Sequence, residues 1–188
     1  MKENFYDKIQ ENPIIASVNN VDNLIKAIES PVRIIFLLTG NIFNLSDIVK
    51  KIKKNGMQVY IHIDLIEGFS KDTVALNYIN DNINPNGIIT AKTNLIKHAK
   101  RIGVFAIQRL FLIDSSSLDT GINSIKLTKP DAVEILPGVM PKITKKIYEE
   151  TNIPIITGGL IMDKYDVNES LNAGAIGVSS SKEKVWYM

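Results

Sequence analysis

The sequence predicts an α/β fold, a trimmed TIM-type (β/α)8 barrel. Three observations predict it. From Pro13 onward, short apolar runs alternate with polar turns and amphipathic stretches of about ten residues, the pattern of parallel βαβ units. Eight such runs are spread over the whole chain, one per about 23 residues, so the barrel is smaller than the ~250-residue norm. Finally, Val18-Asn19-Asn20 follows the first run, where a dinucleotide-binding open sheet would carry a Gly-rich turn. That weighs against the doubly wound sheet, the main rival for this alternation.

Taken in order, residues 5–12 read as a short helix in a leading segment, 1–12, that plugs the bottom of the barrel. Strands follow at 14–18, 32–38, 58–64, 87–90, 105–109 (running on toward 113), 132–136, 154–157 and 175–179. Each is a short, mainly apolar run. Helices fall between them at 21–30, 45–55, 71–80, 93–102, 116–128, 140–151 and 163–173, each amphipathic. A last helical turn follows the eighth strand. No linker, low-complexity tract or second domain interrupts the series, so 1–188 is read as one domain with its barrel over 13–188.

Composition narrows the chemistry. Apolar residues make up 45% and charged residues 22%, ordinary for a globular domain. No apolar run approaches the ~20 residues that span a bilayer, and Met1-Lys2-Glu3-Asn4 opens no secretory signal, so a cytoplasmic protein without a membrane partner is expected. Cysteine is absent, which excludes disulfides and thiolate metal sites. Only two histidines occur, and Ser115-Ser116-Ser117 lacks a nucleophile elbow, so a Ser–His–acid triad has no support.

The stretch 154–181 is the most informative. Thr157-Gly158-Gly159 ends the seventh strand and Ser179-Ser180-Ser181 the eighth. Glycines let backbone approach a ligand closely, and serines at the start of a helical turn offer hydroxyls and N–H groups to an anion. In eight-fold barrels the loops after strands seven and eight commonly hold a phosphate, so Gly158, Gly159, Ser179, Ser180 and Ser181 are read as a phosphate site. Small residues at 175, 177 and 179 share one side and are expected to leave room for the anion.

Alternation along the strands adds polar groups at the mouth. With Val59, Ile61 and Ile63 packed under helices, Gln58, Tyr60, His62 and Asp64 face inward. Thr90 is expected to point in, with Lys92 just past its strand, and Glu134 faces inward on the sixth strand. Gln108 and Arg109 are adjacent, and the pattern does not say which of them faces the interior; both are candidates. His62, Asp64 and Glu134 are types that hold a divalent cation, but no spacing motif supports one and no metal is assigned. A satisfied interior histidine and a purely structural ion pair of Glu134 with Lys92 or Arg109 are the plain alternatives.

Lys50, Lys51, Lys53 and Lys54 crowd the end of the second barrel helix, and Lys142, Lys145 and Lys146 lie on the sixth. Cations near helix C-termini are favoured by the dipole alone, so these read equally as solvated helix ends. No zinc knuckle, KH loop or aromatic RNA-binding strand is present, and composition by itself does not propose RNA binding.

HIDLIEG (62–68), GIITAK (87–92), IQRLFLIDS (107–115), PDAVEILPG (130–138), PIITGGLI (154–161) and GAIGVSSS (174–181) together resemble the glycerol-3-phosphate responsive antiterminators. The resemblance runs from about Pro13 to Trp186. It implies a small barrel that senses glycerol 3-phosphate, needs no other cofactor, performs no catalysis, and in the liganded state binds the leader mRNA of glycerol-utilisation genes. It places phosphate against Gly158, Gly159, Ser179 and Ser180, and the glycerol hydroxyls near His62, Asp64, Gln108 and Glu134, with Lys92 or Arg109 supplying positive charge. The lysine clusters are then the candidate RNA surface, and a homodimer is compatible with the reading. Ala91 replaces a threonine usual in the family, removing one hydroxyl. The rival function is a TIM-barrel enzyme acting on a small phosphorylated polyol or triose, with His62, Asp64 and Glu134 as acid, base or metal ligands.

Overall fold

The computed structural model describes residues 4–188, so positions 1–3 of the leading segment expected over 1–12 lie outside the described residues. Eight strands, β1 (Ile14–Val18), β2 (Ile34–Leu37), β3 (Gln58–His62), β4 (Gly87–Thr90), β5 (Ala106–Phe111), β6 (Ala132–Leu136), β7 (Ile155–Gly158) and β8 (Gly177–Ser180), pair in parallel and in chain order. β8 returns to β1 and closes the barrel. The helices are α1 (Phe5–Glu11), α2 (Leu24–Glu29), α3 (Leu45–Lys54), α4 (Thr73–Tyr78), α5 (Thr93–Arg101), α6 (Ser115–Thr128), α7 (Pro141–Thr151) and α8 (Lys164–Asn172). α1 precedes the barrel and the other seven follow β1 to β7, as expected for the fold.

Strand alternation sorts the apolar side chains into two shells. Ile15, Ile34, Phe36, Tyr60, Ile89, Ile107, Ala132 and Ile156 form one cluster with Phe5 and Ile9 of α1. This is the barrel interior. Their strand neighbours, such as Ile35, Val59, Ile61 and Ile88, pack instead with the buried faces of α2, α3 and α5. Val133, Ile135 and Ile155 do the same with α6 and α7.

α1 closes the lower end. Asn4 caps it, accepting from the Asp7 N–H while the Asp7 carboxylate accepts from the Asn4 N–H. Phe5 then stands edge-on to Tyr60, with ring centroids 5.1 Å apart, and 4.9 Å from Phe105. Gln58 is satisfied here too: its amide donates to Asn4 O at 3.3 Å and it accepts from the Tyr60 hydroxyl at 2.9 Å. A Cβ on Gly177 would come within 2.8 Å of Ile9 Cδ1. The small residue at 177 therefore makes room for the plug, not for an anion as the sequence suggested.

Two local departures from the expected elements have identifiable causes. β3 stops at His62 because Ile63–Leu65 winds into a 3-10 turn, so Asp64 leaves the strand register. The helix expected over 71–80 begins at Thr73, where Asp72 caps it, and widens at Ile79–Ile83 into a single π turn that ends on left-handed Asn84. Behind β8, a 3-10 turn at Glu183–Tyr187 buries Trp186, whose indole N–H donates to Ser180 O at 2.7 Å.

The plug predicts its own stability effect. Phe5→Ala removes the ring that fills the barrel floor and should lower unfolding free energy by about 3 kcal/mol, measured by urea denaturation.

Candidate ligand site at the barrel mouth

At the C-terminal ends of the strands, the inward side chains change from aliphatic to polar. Arg109 on β5, Glu134 on β6 and Ser179 on β8 form a buried chain. Arg109 Nε donates to Glu134 Oε2 at 2.6 Å, and Ser179 Oγ donates to Oε1 of the same carboxylate at 2.6 Å. The register pairs Arg109 directly with Glu134, so strand alignment brings the two charges together. Glu134 is 1% exposed and Arg109 6%, a burial that neither charge would tolerate alone. Gly158 is small for this reason: a Cβ there would overlap Ser179 Oγ and lie 2.9 Å from Glu134 Oε1.

Above this chain lies a cavity of about 360 Å³. Of the residues singled out in the sequence, Arg109, Glu134, Gly159, Ser179, Ser180 and Ser181 line it. The loops after β7 and β8 meet there. Gly159 and Leu160 are both left-handed, at φ +73° and +61°, a double turn that carries the chain around the rim. Ser180 Oγ donates to Ile161 O at 3.2 Å and accepts from Lys182 N at 3.1 Å, stitching the two loops together. Among the described residues, the N–H groups of Gly159 and Ser181 meet no protein acceptor.

The remaining candidates sit elsewhere. Gln108 does not face the mouth: its amide donates to Ser124 Oγ at 2.6 Å and it accepts from Thr128 Oγ1 at 2.6 Å, both on α6. Thr90 does not point into the cavity either. It shares the side of Ile88, which packs on the helices, and donates to Asp64 Oδ2 at 2.7 Å. Asp64 also accepts from Ala91 N at 3.0 Å, so it anchors the end of β4 and does not line the cavity. Lys92 Nζ reaches Lys71 O at 3.1 Å. His62 keeps the inward side of Tyr60, as expected, but is buried beside Asp64 outside the cavity lining, its Nδ1 without a hydrogen-bond partner among the described residues and 3.9 Å from Asp64 Oδ2. Burial, reinforced by the Arg109 charge, pushes its pKa down to about 4. Among the described residues, no group of three or more His, Asp or Glu side chains is placed to hold a metal ion.

The sequence missed two cavity residues that matter chemically. Lys182, exposed, brings a positive charge to the lip directly behind the serine run. Ser17 on β1 adds a hydroxyl, and the alternation that puts Ile15 inside could have revealed it.

Comparison with known proteins gives a consistent result. The family model described as glycerol-3-phosphate responsive antiterminator matches residues 14–186. The uncharacterized protein YgcP of Escherichia coli (strain K12) is 39% identical over 178 residues, covering 95% of this chain and 93% of its own. The crystal structure of a glycerol uptake operon antiterminator regulatory protein from Listeria monocytogenes is similar with a TM-score of 0.90 and 35% identity, over 93% of this chain and 95% of that one. A glycerol uptake operon antiterminator-related protein from Thermotoga maritima follows with a TM-score of 0.84 and 30% identity, over 93% and 98%. A putative deoxyribose-phosphate aldolase from Coccidioides immitis, 12% identical with a TM-score of 0.71, covering 95% of this chain and 84% of its own, shares the fold alone.

Two outcomes follow from this site. Arg109→Met leaves Glu134 buried without its cation and should cost about 3 kcal/mol in urea denaturation, most of it recovered in the Arg109→Met/Glu134→Leu double variant. The second concerns acid. His62 binds its proton less readily folded than unfolded, so stability is whole above pH 6.5 and falls as pH drops from there toward about 4. His62→Gln should flatten that limb in melting curves taken across the range.

Proposed function

Because the chain belongs to the glycerol-3-phosphate responsive antiterminators, we propose that it binds glycerol 3-phosphate at the barrel mouth and in that state binds a leader mRNA, without turnover. The observation that carries this reading is the convergence of the β7 and β8 loops on one cavity whose far wall is the Arg109–Glu134 pair. The phosphate lies on the lip, where the N–H groups of Gly159 and Ser181 and the Lys182 ammonium offer donors and charge. The glycerol hydroxyls turn toward Arg109 and Glu134. Arg109 Nε is committed to Glu134, which leaves the terminal nitrogens of the fork to the ligand. This polarity keeps the dianion away from the Glu134 carboxylate, and no cofactor besides the effector is needed.

Absence of turnover has a physical argument. Both oxygens of Glu134 are occupied, by Arg109 and Ser179, and His62 and Asp64 stand outside the cavity lining. No group at the cavity wall is poised to take or give a proton repeatedly.

For RNA, α3 is the better of the two lysine faces. Lys145 and Lys146 on α7 pair with Glu149 and Glu150 at 3.9 and 3.8 Å, which offsets their charge. Lys50, Lys51, Lys53 and Lys54 are exposed at the end of α3, Lys53 reaching Asn84 O at 2.8 Å. Ligand at the mouth acts on this surface only through a difference in affinity between two states of the protein.

Gly159→Asp keeps a residue type that tolerates the left-handed backbone while setting a carboxylate against the phosphate. Titration calorimetry should show glycerol 3-phosphate affinity weakened about 100-fold or more, ~3 kcal/mol; unaltered binding would refute the placement. Charge reversal of Lys50, Lys51, Lys53 and Lys54 should weaken leader-RNA binding and flatten its log–log salt slope by about 3. An unchanged slope moves the RNA surface to Lys142, Lys145 and Lys146.

A further inference from the structure

A second concavity opens on the other side of the Gly159–Leu160 turn. Phe111, Ile113, Leu136, Pro137 and Leu160 line it, and Leu136, Gly159 and Leu160 also line the ligand cavity. The two spaces share a wall. The side chains here are unusually open for their type: Ile113 is 88% exposed, Leu160 66% and Phe111 55%. Met162 continues the patch along the ligand-cavity rim. None of these side chains is charged, so the patch offers nothing to a nucleic-acid backbone or an anionic headgroup.

Together these side chains present on the order of 500 Å² of apolar surface, at the upper end of the ~300–600 Å² that a monomer's largest patch reaches. A stable dimer buries ~800 Å² per partner with about two-thirds of it apolar. The patch supplies that apolar core nearly by itself, leaving only a polar rim to be added. We infer that this face is a two-fold interface with a second copy of the chain, in which Phe111, Ile113 and Leu160 of each copy fill the groove of the other. An isologous contact of this kind needs no second surface and closes without forming fibres. Another apolar concavity, lined by Ile42, Phe69, Val74 and Tyr78, includes the charged Asp72 and shares no residue with the lining of the ligand cavity; Phe43, 92% exposed, is next to Ile42 in the chain.

The shared wall couples the interface to the site. A ligand seated against Gly159 holds the Leu160 side of the groove in its paired shape, so it tightens dimerisation, and dimerisation tightens ligand binding by the same factor. This coupling rests on the proposed glycerol 3-phosphate site, whereas the interface itself does not.

Sedimentation velocity over a micromolar concentration series tests both. The unaltered chain should show twice its 21.0 kDa mass, Ile113→Glu should be monomeric, and Phe43→Glu should remain dimeric. A monomer at every concentration, or a dimer lost in Phe43→Glu and kept in Ile113→Glu, overturns the interface. A monomer in which Ile113→Glu weakens leader-RNA binding would give the face to RNA instead and equally overturn it. Adding glycerol 3-phosphate should lower the dimer dissociation constant at least about fivefold. Calorimetric binding with an unchanged dimer constant overturns the coupling; no calorimetric binding refutes the ligand site while the measured mass still decides the interface.

Discussion

The ion pair between Arg109 and Glu134 is the constraint on which the upper half of the barrel depends. It joins β5 to β6 at a depth where either charge alone would be costly to bury, and Ser179 extends it to β8. Gly158 is forced by it, since nothing larger fits between Ser179 and the carboxylate. The polar chain also divides the barrel into two functional levels. Below it the interior is mainly hydrocarbon, sealed by α1; above it opens a cavity in which serine hydroxyls, Arg109 and Lys182 are interspersed with aliphatic side chains.

That division gives a common fold a particular mouth in this chain. The barrel is shared with aldolases at identities that carry no functional information. What distinguishes the mouth is how its ionisable groups are spent: Glu134 on two partners, Asp64 on the end of β4, His62 held neutral by burial. The donors left over belong largely to backbone and to cationic side chains. A mouth of that composition is furnished more for anion binding than for proton transfer.

The fold was legible in the sequence because apolar alternation decides it locally. Each strand's parity is set by its own residues, as Val59 and Ile61 on one side and Tyr60 and His62 on the other illustrate. The lining of the mouth cavity was legible where parity or loop position sufficed, as for Glu134, Gly159 and Ser181. It was not legible where a distant partner decides. Gln108 and Arg109 are consecutive polar residues, and their assignment depends on Ser124 and Thr128, one turn apart on α6, which draw Gln108 outward. Asp64 was misplaced because β3 ends two residues early, and Thr90 because the consecutive Ile88 and Ile89 leave the parity of β4 open. Lys182 follows the last strand, where alternation no longer applies.

Trp186 is the chain's single tryptophan, buried and hydrogen-bonded through its indole to the carbonyl of Ser180. The same serine lines the cavity at the barrel mouth and ties its two loops together. Any rearrangement of those loops on loading must alter the field around this indole. The protein thus contains its own optical reporter, placed one residue from the event it would report, with no competing tryptophan emission to subtract.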